Sequence, residues 1–372
     1  MLKKLLKNTD FILFACMVIL VVVGIIAIYS AGYNTDVNKD EYIKQMIWFG
    51  VSFILMVLVW LVDYNMFDIV GYILYIINLV MLIVVLFMPT LMGASSWFNF
   101  GGFLYQPSEL MKIGTILCSA KFLSICKNNI SKHDNLKRIL LIAISVLTFI
   151  LPIGLIILQP DFGTAMTFVV IAAFMLFKFG IKYRYIFCIL AVILIAIPIV
   201  YNFMLNDVQK ERINVFLNPE LDPLGSGYNA IQSKIAIGSG MLFGTGILKG
   251  SQTQNGYIPI KSTDFIFSVI CEEMGYVMAV FVIVVYTVLI LRLLNIANKT
   301  DDTFASLVVV GIAGMFFYHF VENIGMTIGL LPITGVPLPF LSYGGSNMLT
   351  NTLAIAIALN ISARNKKDTL FM

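Results

Sequence analysis

Long uninterrupted apolar stretches alternate with short polar ones along this chain, at about 11–30, 45–62, 69–88, 108–126, 139–158, 162–179, 185–205, 265–291, 304–331 and 345–361. Most approach the ~20 residues a helix needs to cross a bilayer. None shows the period-two alternation of a strand, so helices are predicted throughout. The fourth stretch, which carries Lys112 and Lys121, and the short tenth fit the pattern least well. Residues 206–263 are too polar and glycine-rich for a further span and too few for an independent core. A short helix is predicted there over Gly227 to Ile237. The expected architecture is an all-α integral membrane protein of about ten transmembrane helices. It forms a single polytopic domain, 1–372, with an extracellular loop at 206–263 between helices 7 and 8.

Composition agrees: 60% of the 372 residues are hydrophobic and 12% charged, against about 45–50% and about 25% in soluble domains. The net charge of +4 matters less than its distribution. With the N-terminus inside, 16 of the 24 Lys and Arg fall in short inner loops and tails, as the positive-inside rule requires. Both termini are therefore placed in the cytoplasm. Lys3, Lys4 and Lys7 precede an apolar run longer than a signal-peptide core, so the first helix is read as uncleaved. The five cysteines, Cys16, Cys118, Cys126, Cys188 and Cys271, lie in or beside apolar spans without a CxxC pair and read as packing residues.

Candidate chemistry gathers at one face. In IPIKSTDFIFSVICEEMG, Asp264 marks a water-to-lipid boundary, with Ser262 or Thr263 placed to cap the helix and Asp264 in its first turn. Glu272 lies roughly 80° around that helix from Asp264, and Glu273 nearly opposite, so only one of the two can face it. Acids inside a span usually face a cavity. Glu109 and Lys112 stand at i and i+3 after Pro107, able to pair within a polar cavity. Asp161, at the outer boundary, can cap the sixth span. Trp97, among aromatics and glycines, suits an amphipathic surface element, a re-entrant turn or an interface belt. Arg212, Lys234, Lys249 and Lys261 bring cations to the outer side, which points to an anionic ligand. The glycines of AIGSGMLFGTGILKGSQ lack the phosphate-loop order, and a nucleotide site is rejected. His319 and Glu322 resemble half of a metal site but lack a second histidine.

Four segments, WFNFGGFLYQPSELMK at 97–112, LQPDFGTA at 158–165, the run from FLNPELDPLGSGYN to TDFIF, and NIGMTIGLLPITGVPLPFLSYGGSN at 323–347, together resemble the SEDS family of peptidoglycan glycosyltransferases, the RodA, FtsW and SpoVE group. The QPD, NPELDPLG and NIGM sequences are most similar to its RodA branch, which implies a role in cell elongation and shape. The resemblance implies that Asp264 is the catalytic aspartate and that Trp97, Gln106, Glu109 and Lys112 belong to the substrate site. The chain departs from the family pattern at Ser96, where a basic residue is usual, and at Ile260, Lys261 and Ser262 ahead of TDF.

On this reading the chain polymerises lipid II at the outer face of the bacterial plasma membrane. Asp264 takes the proton of the acceptor hydroxyl, and Arg212, Lys234, Lys261 or Lys112, or a divalent cation such as Mg or Mn, meets the departing pyrophosphate. Asp161 and Glu272 complete the expected substrate-binding set. No SxxK with its companion motifs occurs, so crosslinking is left to a class B penicillin-binding protein. Membrane lipids are expected partners and nucleic acid is not. A lipid II flippase would need a path open to both sides, and an ion-coupled transporter would hold its polar groups near the midplane. Clustering at one face favours surface chemistry.

Overall fold

The computed structural model describes residues 2–34, 39–88, 96–101, 103–128, 134–181, 215, 218–222 and 225–364. Its helices are α1 (Leu2–Asn8), α2 (Phe11–Gly32), α3 (Glu41–Leu61), α4 (Phe67–Val85), α5 (Pro107–Asn128), α6 (Asn135–Leu158) and α7 (Phe162–Phe179). They continue with α8 (Ser226–Ser239), α9 (Ser251–Gln254), α10 (Ile266–Lys299), α11 (Thr303–Thr327) and α12 (Gly345–Arg364). Seven of them, α2, α3, α4, α6, α7, α10 and α11, are long and apolar enough to cross a membrane. The stretch expected at 185–205 lies outside the described residues, as does Cys188.

Helix α11 is the centre of the bundle. In its most apolar window 78% of residues are buried, against 17% for α3, so α11 is enclosed by protein while α3 presents side chains such as Ile47, Ile54 and Leu58 outward. In lipid such apolar exposure is no liability, because acyl chains are as apolar as leucine. Close packing does the work instead. Gly71 of α4 faces Leu117 of α5, and Gly114 of α5 faces the backbone of Tyr75, so a side chain at either glycine would force the helices apart. The described cysteines, Cys16, Cys118, Cys126 and Cys271, are buried and unpaired.

Charged groups close one end of the bundle. Asp10 caps α2 by accepting from Leu13 N at 3.0 Å, and it also receives Arg292 of α10 through Nε at 2.9 Å and Nη2 at 2.6 Å. Lys121 of α5 pairs with Asp68 of α4.

Two expectations are corrected. The chain is not all-α: between the helical spans, in the aromatic and glycine segment expected to lie on the membrane surface or turn back into it, Phe98–Phe100 (β1) pairs antiparallel with Phe103–Tyr105 (β2), in the register Phe98 to Tyr105. Three-residue strands are too short to show alternation, but a Gly-Gly pair between aromatic runs is a hairpin signal, and Gly101 has φ +63°. Secondly, α10 begins at Ile266 with Phe265 as its N-cap and no capping side chain. Asp264 is therefore ahead of the helix rather than in its first turn.

Helix α10 is also broken. Gly275 has φ 79° and ψ 178°, a region open almost only to glycine. The break removes helical partners from the amides of Tyr276 and Val277 and from the carbonyls of Glu272 and Glu273. The glycine-rich loop after α8 replaces them. Tyr276 N donates to Met241 O at 2.9 Å and Val277 N to Leu242 O at 3.1 Å, while Thr245 N and Gly246 N donate to the carbonyls of Glu272 and Glu273 at 2.9 and 3.0 Å. A Cβ at Gly240 or Gly244 would collide with the α10 backbone. The glycines singled out in the sequence thus permit close backbone approach.

Candidate active site

Asp264 sits on a short non-helical segment laced to the irregular stretch between α11 and α12. Asn323 of α11 donates through Nδ2 to the carbonyls of Asp264 and Val336, each at 2.9 Å. Ser342 Oγ donates to Thr263 O at 2.7 Å and accepts from Leu338 N at 2.8 Å, and Tyr343 N donates to Ser262 O at 2.8 Å. The prolines and glycines of 331–345 make this irregular path possible, and the bonds satisfy backbone groups that a helix would have paired. Gly335, at φ +75°, faces the Asp264 carboxylate so closely that a Cβ there would stand 3.4 Å from Oδ2. Burial pushes the Asp264 carboxyl up to about 6; a bond from Thr263 opposes the shift and the negative charge of Asp161 adds to it.

Asp161 caps α7 as its position predicts, accepting from Thr164 N at 3.1 Å and Thr164 Oγ1 at 2.9 Å. Its Oδ2 also accepts from Gln106 Nε2 at 3.1 Å. Burial raises its pKa, the Thr164 bonds lower it, the Glu109 charge raises it and Lys112 lowers it. Asp161 is therefore within electrostatic reach of Asp264 on one side and of Glu109 and Lys112 on the other.

Glu109 and Lys112 pair at 2.8 Å as their spacing predicts, and both are buried. Lys112 Nζ also lies 3.1 Å from His319 Nε2, and His319 Nδ1 lies 3.0 Å from Pro337 O. A carbonyl only accepts, so Nδ1 carries the proton and the neutral Nε2 accepts from the ammonium. One side chain thereby ties α5, α11 and the 331–345 segment together. Glu109 Oε2 is buried with no hydrogen-bond partner among the described residues, and Thr334 Oγ1 donates to Glu322 Oε1 at 2.8 Å.

The structure thus brings Asp264, Asp161, Gln106, Glu109 and Lys112 into one polar region and separates them from a second. Glu272 does not reach toward Asp264. Its carboxylate accepts from Gln252 N at 2.7 Å, Thr253 N at 2.9 Å and Thr253 Oγ1 at 2.6 Å, holding the start of α9. Lys261 is buried and donates to Thr253 O at 2.6 Å; burial lowers its pKa, and the charges of Glu273 and Glu272 oppose this. Both residues serve the loop behind the site. Lys234 is exposed on α8, its chain lying across Gly329. Trp97 is partly buried just ahead of β1, in a hairpin joined to α12 by Ser346 Oγ donating to Leu104 O at 3.2 Å. Arg212 lies outside the described residues.

His319, Asn323 and Thr334 were not among the expected site residues. Polar groups inside an apolar span are the available signal for the first two. Among the described residues no three His, Cys, Asp or Glu are grouped to hold a metal ion.

The FtsW/RodA/SpoVE family model, described as cell cycle protein, matches residues 10–367. The chain is 34% identical to peptidoglycan glycosyltransferase RodA of Treponema pallidum (strain Nichols) over 96% of this chain and 98% of that protein. It is 37% identical to peptidoglycan glycosyltransferase MrdB of Escherichia coli (strain K12) over 79% and 78% of the two chains. A chain from a solved structure of a peptidoglycan synthase complex, concerned with coordination of polymerization and crosslinking, matches with a TM-score of 0.80 and 29% identity over 95% of this chain and 97% of that one.

Proposed function

Since the chain belongs to the FtsW/RodA/SpoVE family of bacterial integral membrane proteins, we propose that it is a peptidoglycan glycosyltransferase that polymerises lipid II into glycan strands for elongation and cell shape. The observation that carries the assignment of chemistry is Asp264, half-buried, its backbone carbonyl held by Asn323, and with its pKa raised to about 6. A general base works best with a pKa near the working pH. The acceptor hydroxyl of one sugar loses its proton to Asp264 as its oxygen bonds to the anomeric carbon of the donor. The bond from that carbon to the lipid pyrophosphate breaks, and the pyrophosphate leaves with the electron pair. Lys112, fixed between Glu109 and His319, supplies positive charge near the reacting groups, and Asp161, bonded to Gln106, lies within electrostatic reach of both Lys112 and Asp264. Arg212 and Lys234 remain candidates for the outer end of the diphosphate, and Trp97 for a sugar face.

The topology we infer has ten spans with both ends in the cytoplasm, made of the seven apolar helices, the more polar α5 and α12, and residues 185–205. It places Asp264 and the 206–263 segment on the outer side of the membrane, where sugars are assembled. A class B penicillin-binding protein is the partner that would crosslink the product; similarity to a chain of a peptidoglycan synthase complex supports this. Purified chain supplied with lipid II tests the assignment. Glycan polymer should form, and its absence with every candidate partner and cation present would overturn the proposal.

A further inference from the structure

The loop that repairs the break in α10 also exposes a tip that the polymerase site does not use. Met241, Leu242 and Phe243 are 79%, 59% and 81% exposed, and Ile247 is 48% exposed. From Ile235 to Leu248 the chain carries no charge, while Lys234 and Lys249 bracket it and are both exposed. Such a tip in water would be an unfavourable apolar patch.

Two rulers give its depth. Asp10 and Arg292 pair at one end of the bundle. From Arg292 to Val277, where the loop is bonded, α10 rises about 22 Å at ~1.5 Å per residue. From Asp10 to Ser30 of α2 the rise is about 30 Å, the thickness of a hydrocarbon core. Ser30 marks the opposite edge, and the ends of the same loop fasten there: Leu248 N donates to Ser30 Oγ at 3.3 Å and Gln254 Nε2 to Ser30 O at 3.1 Å. With α2 and α10 taken as parallel, the backbone of residues 241–242 lies about 8 Å below the level of Ser30. It continues a surface of α10 on which Tyr276, Val277, Phe281 and Val284 are also exposed.

We propose that residues 241–247 form a re-entrant wedge inserted among the acyl chains of the leaflet on the Asp264 side, with Lys249 reaching lipid headgroups. Irregular backbone is tolerated at membrane depth only where protein meets its polar groups; the four bonds to α10, with Gly244 N donating to Gly240 O, pair the carbonyls of Met241 and Leu242 and the amides of Gly244, Thr245 and Gly246. The occupant of the exposed tip is lipid, since its depth and its lack of charge match the lipid-facing helix beside it. The wedge would fix the height of the α10 entrance, and with it Asp264, against the bilayer surface.

Nitroxides placed by Met241→Cys and Phe243→Cys, in an active cysteine-free full chain reconstituted in phosphatidylethanolamine–phosphatidylglycerol nanodiscs, read this directly. Both should relax with oxygen and resist a water-soluble nickel chelate, as Val284→Cys does and unlike Lys137→Cys. Ready collision with nickel, or shielding from both agents by covering protein, would overturn the proposal. The unmodified chain offers a second reading: a phospholipid with a diazirine in its acyl chain should label the tryptic peptide of residues 235–249. Labelling of the α10 peptide alone would refute insertion.

Discussion

Asp264 stands two residues ahead of its helix, and Asn323 of α11 secures its backbone carbonyl. Asp264→Asn should lower lipid II polymerisation on the order of 10²–10⁴-fold, the usual contribution of a general base, measured with purified protein. The folded-state pKa of about 6 lies above the unfolded value of about 3.9. Ionised Asp264 therefore costs stability above pH ~6, and the cost disappears as pH falls below ~4. The Asn variant should accordingly unfold at no lower a temperature than the parent at neutral pH, which separates lost chemistry from lost folding. The same pKa predicts that kcat/KM falls about tenfold per pH unit below about 6, a limb that stopped-time polymerisation assays can trace. His319 acts through Lys112. His319→Ala frees the ammonium and should reduce kcat about 10–100-fold, as misplacement of a positioned group does. His319→Gln can accept from Lys112 while donating to Pro337, and should recover much of the loss.

Among the elements, the broken α10 and the loop after α8 depend on one another. Gly275→Ala meets both a backbone region that costs about 1–3 kcal/mol for other residues and contact with Gly244 and Leu242. Gly50, with open space around it on α3, takes a side chain freely. Thermal unfolding in detergent should show Gly275→Ala markedly destabilised and Gly50→Ala unchanged or slightly stabilised. Equal melting of the two would show that the loop does not repair the break. The hairpin, α9 and the 331–345 segment are likewise held by partners distant in sequence, Ser346, Glu272 and Asn323 among them.

At the scale of the whole molecule, the enclosed α11 serves as the post on which the site hangs. It carries His319, Glu322 and Asn323, and it touches α5, α7 and α10, the neighbours that bring Lys112, Asp161 and Asp264. Peripheral helices such as α3 leave apolar faces free for lipid or for another membrane protein. Co-purification with a class B penicillin-binding protein in detergent should give a complex that polymerises lipid II faster than the chain alone; no co-elution and no rate change would mean that the two share only a substrate pool.

The sequence by itself determined the membrane class, the helical spans that are described, the Glu109–Lys112 pair and the Asp161 cap. Each follows from composition or from spacing within one helix, where 3.6 residues per turn makes neighbours calculable. It also singled out Asp264, because an acid at a lipid boundary is costly. Only tertiary structure decided that Glu272 and Lys261 face the loop of α9 rather than Asp264, and that His319 orients Lys112. Their partners lie on other elements, and side-chain direction across a helix packing is set by which neighbour satisfies a buried polar group. The glycine-rich run was conspicuous in the chain, but its role needed the break at Gly275 to be seen beside it, since two unpaired stretches of backbone found their hydrogen bonds in each other.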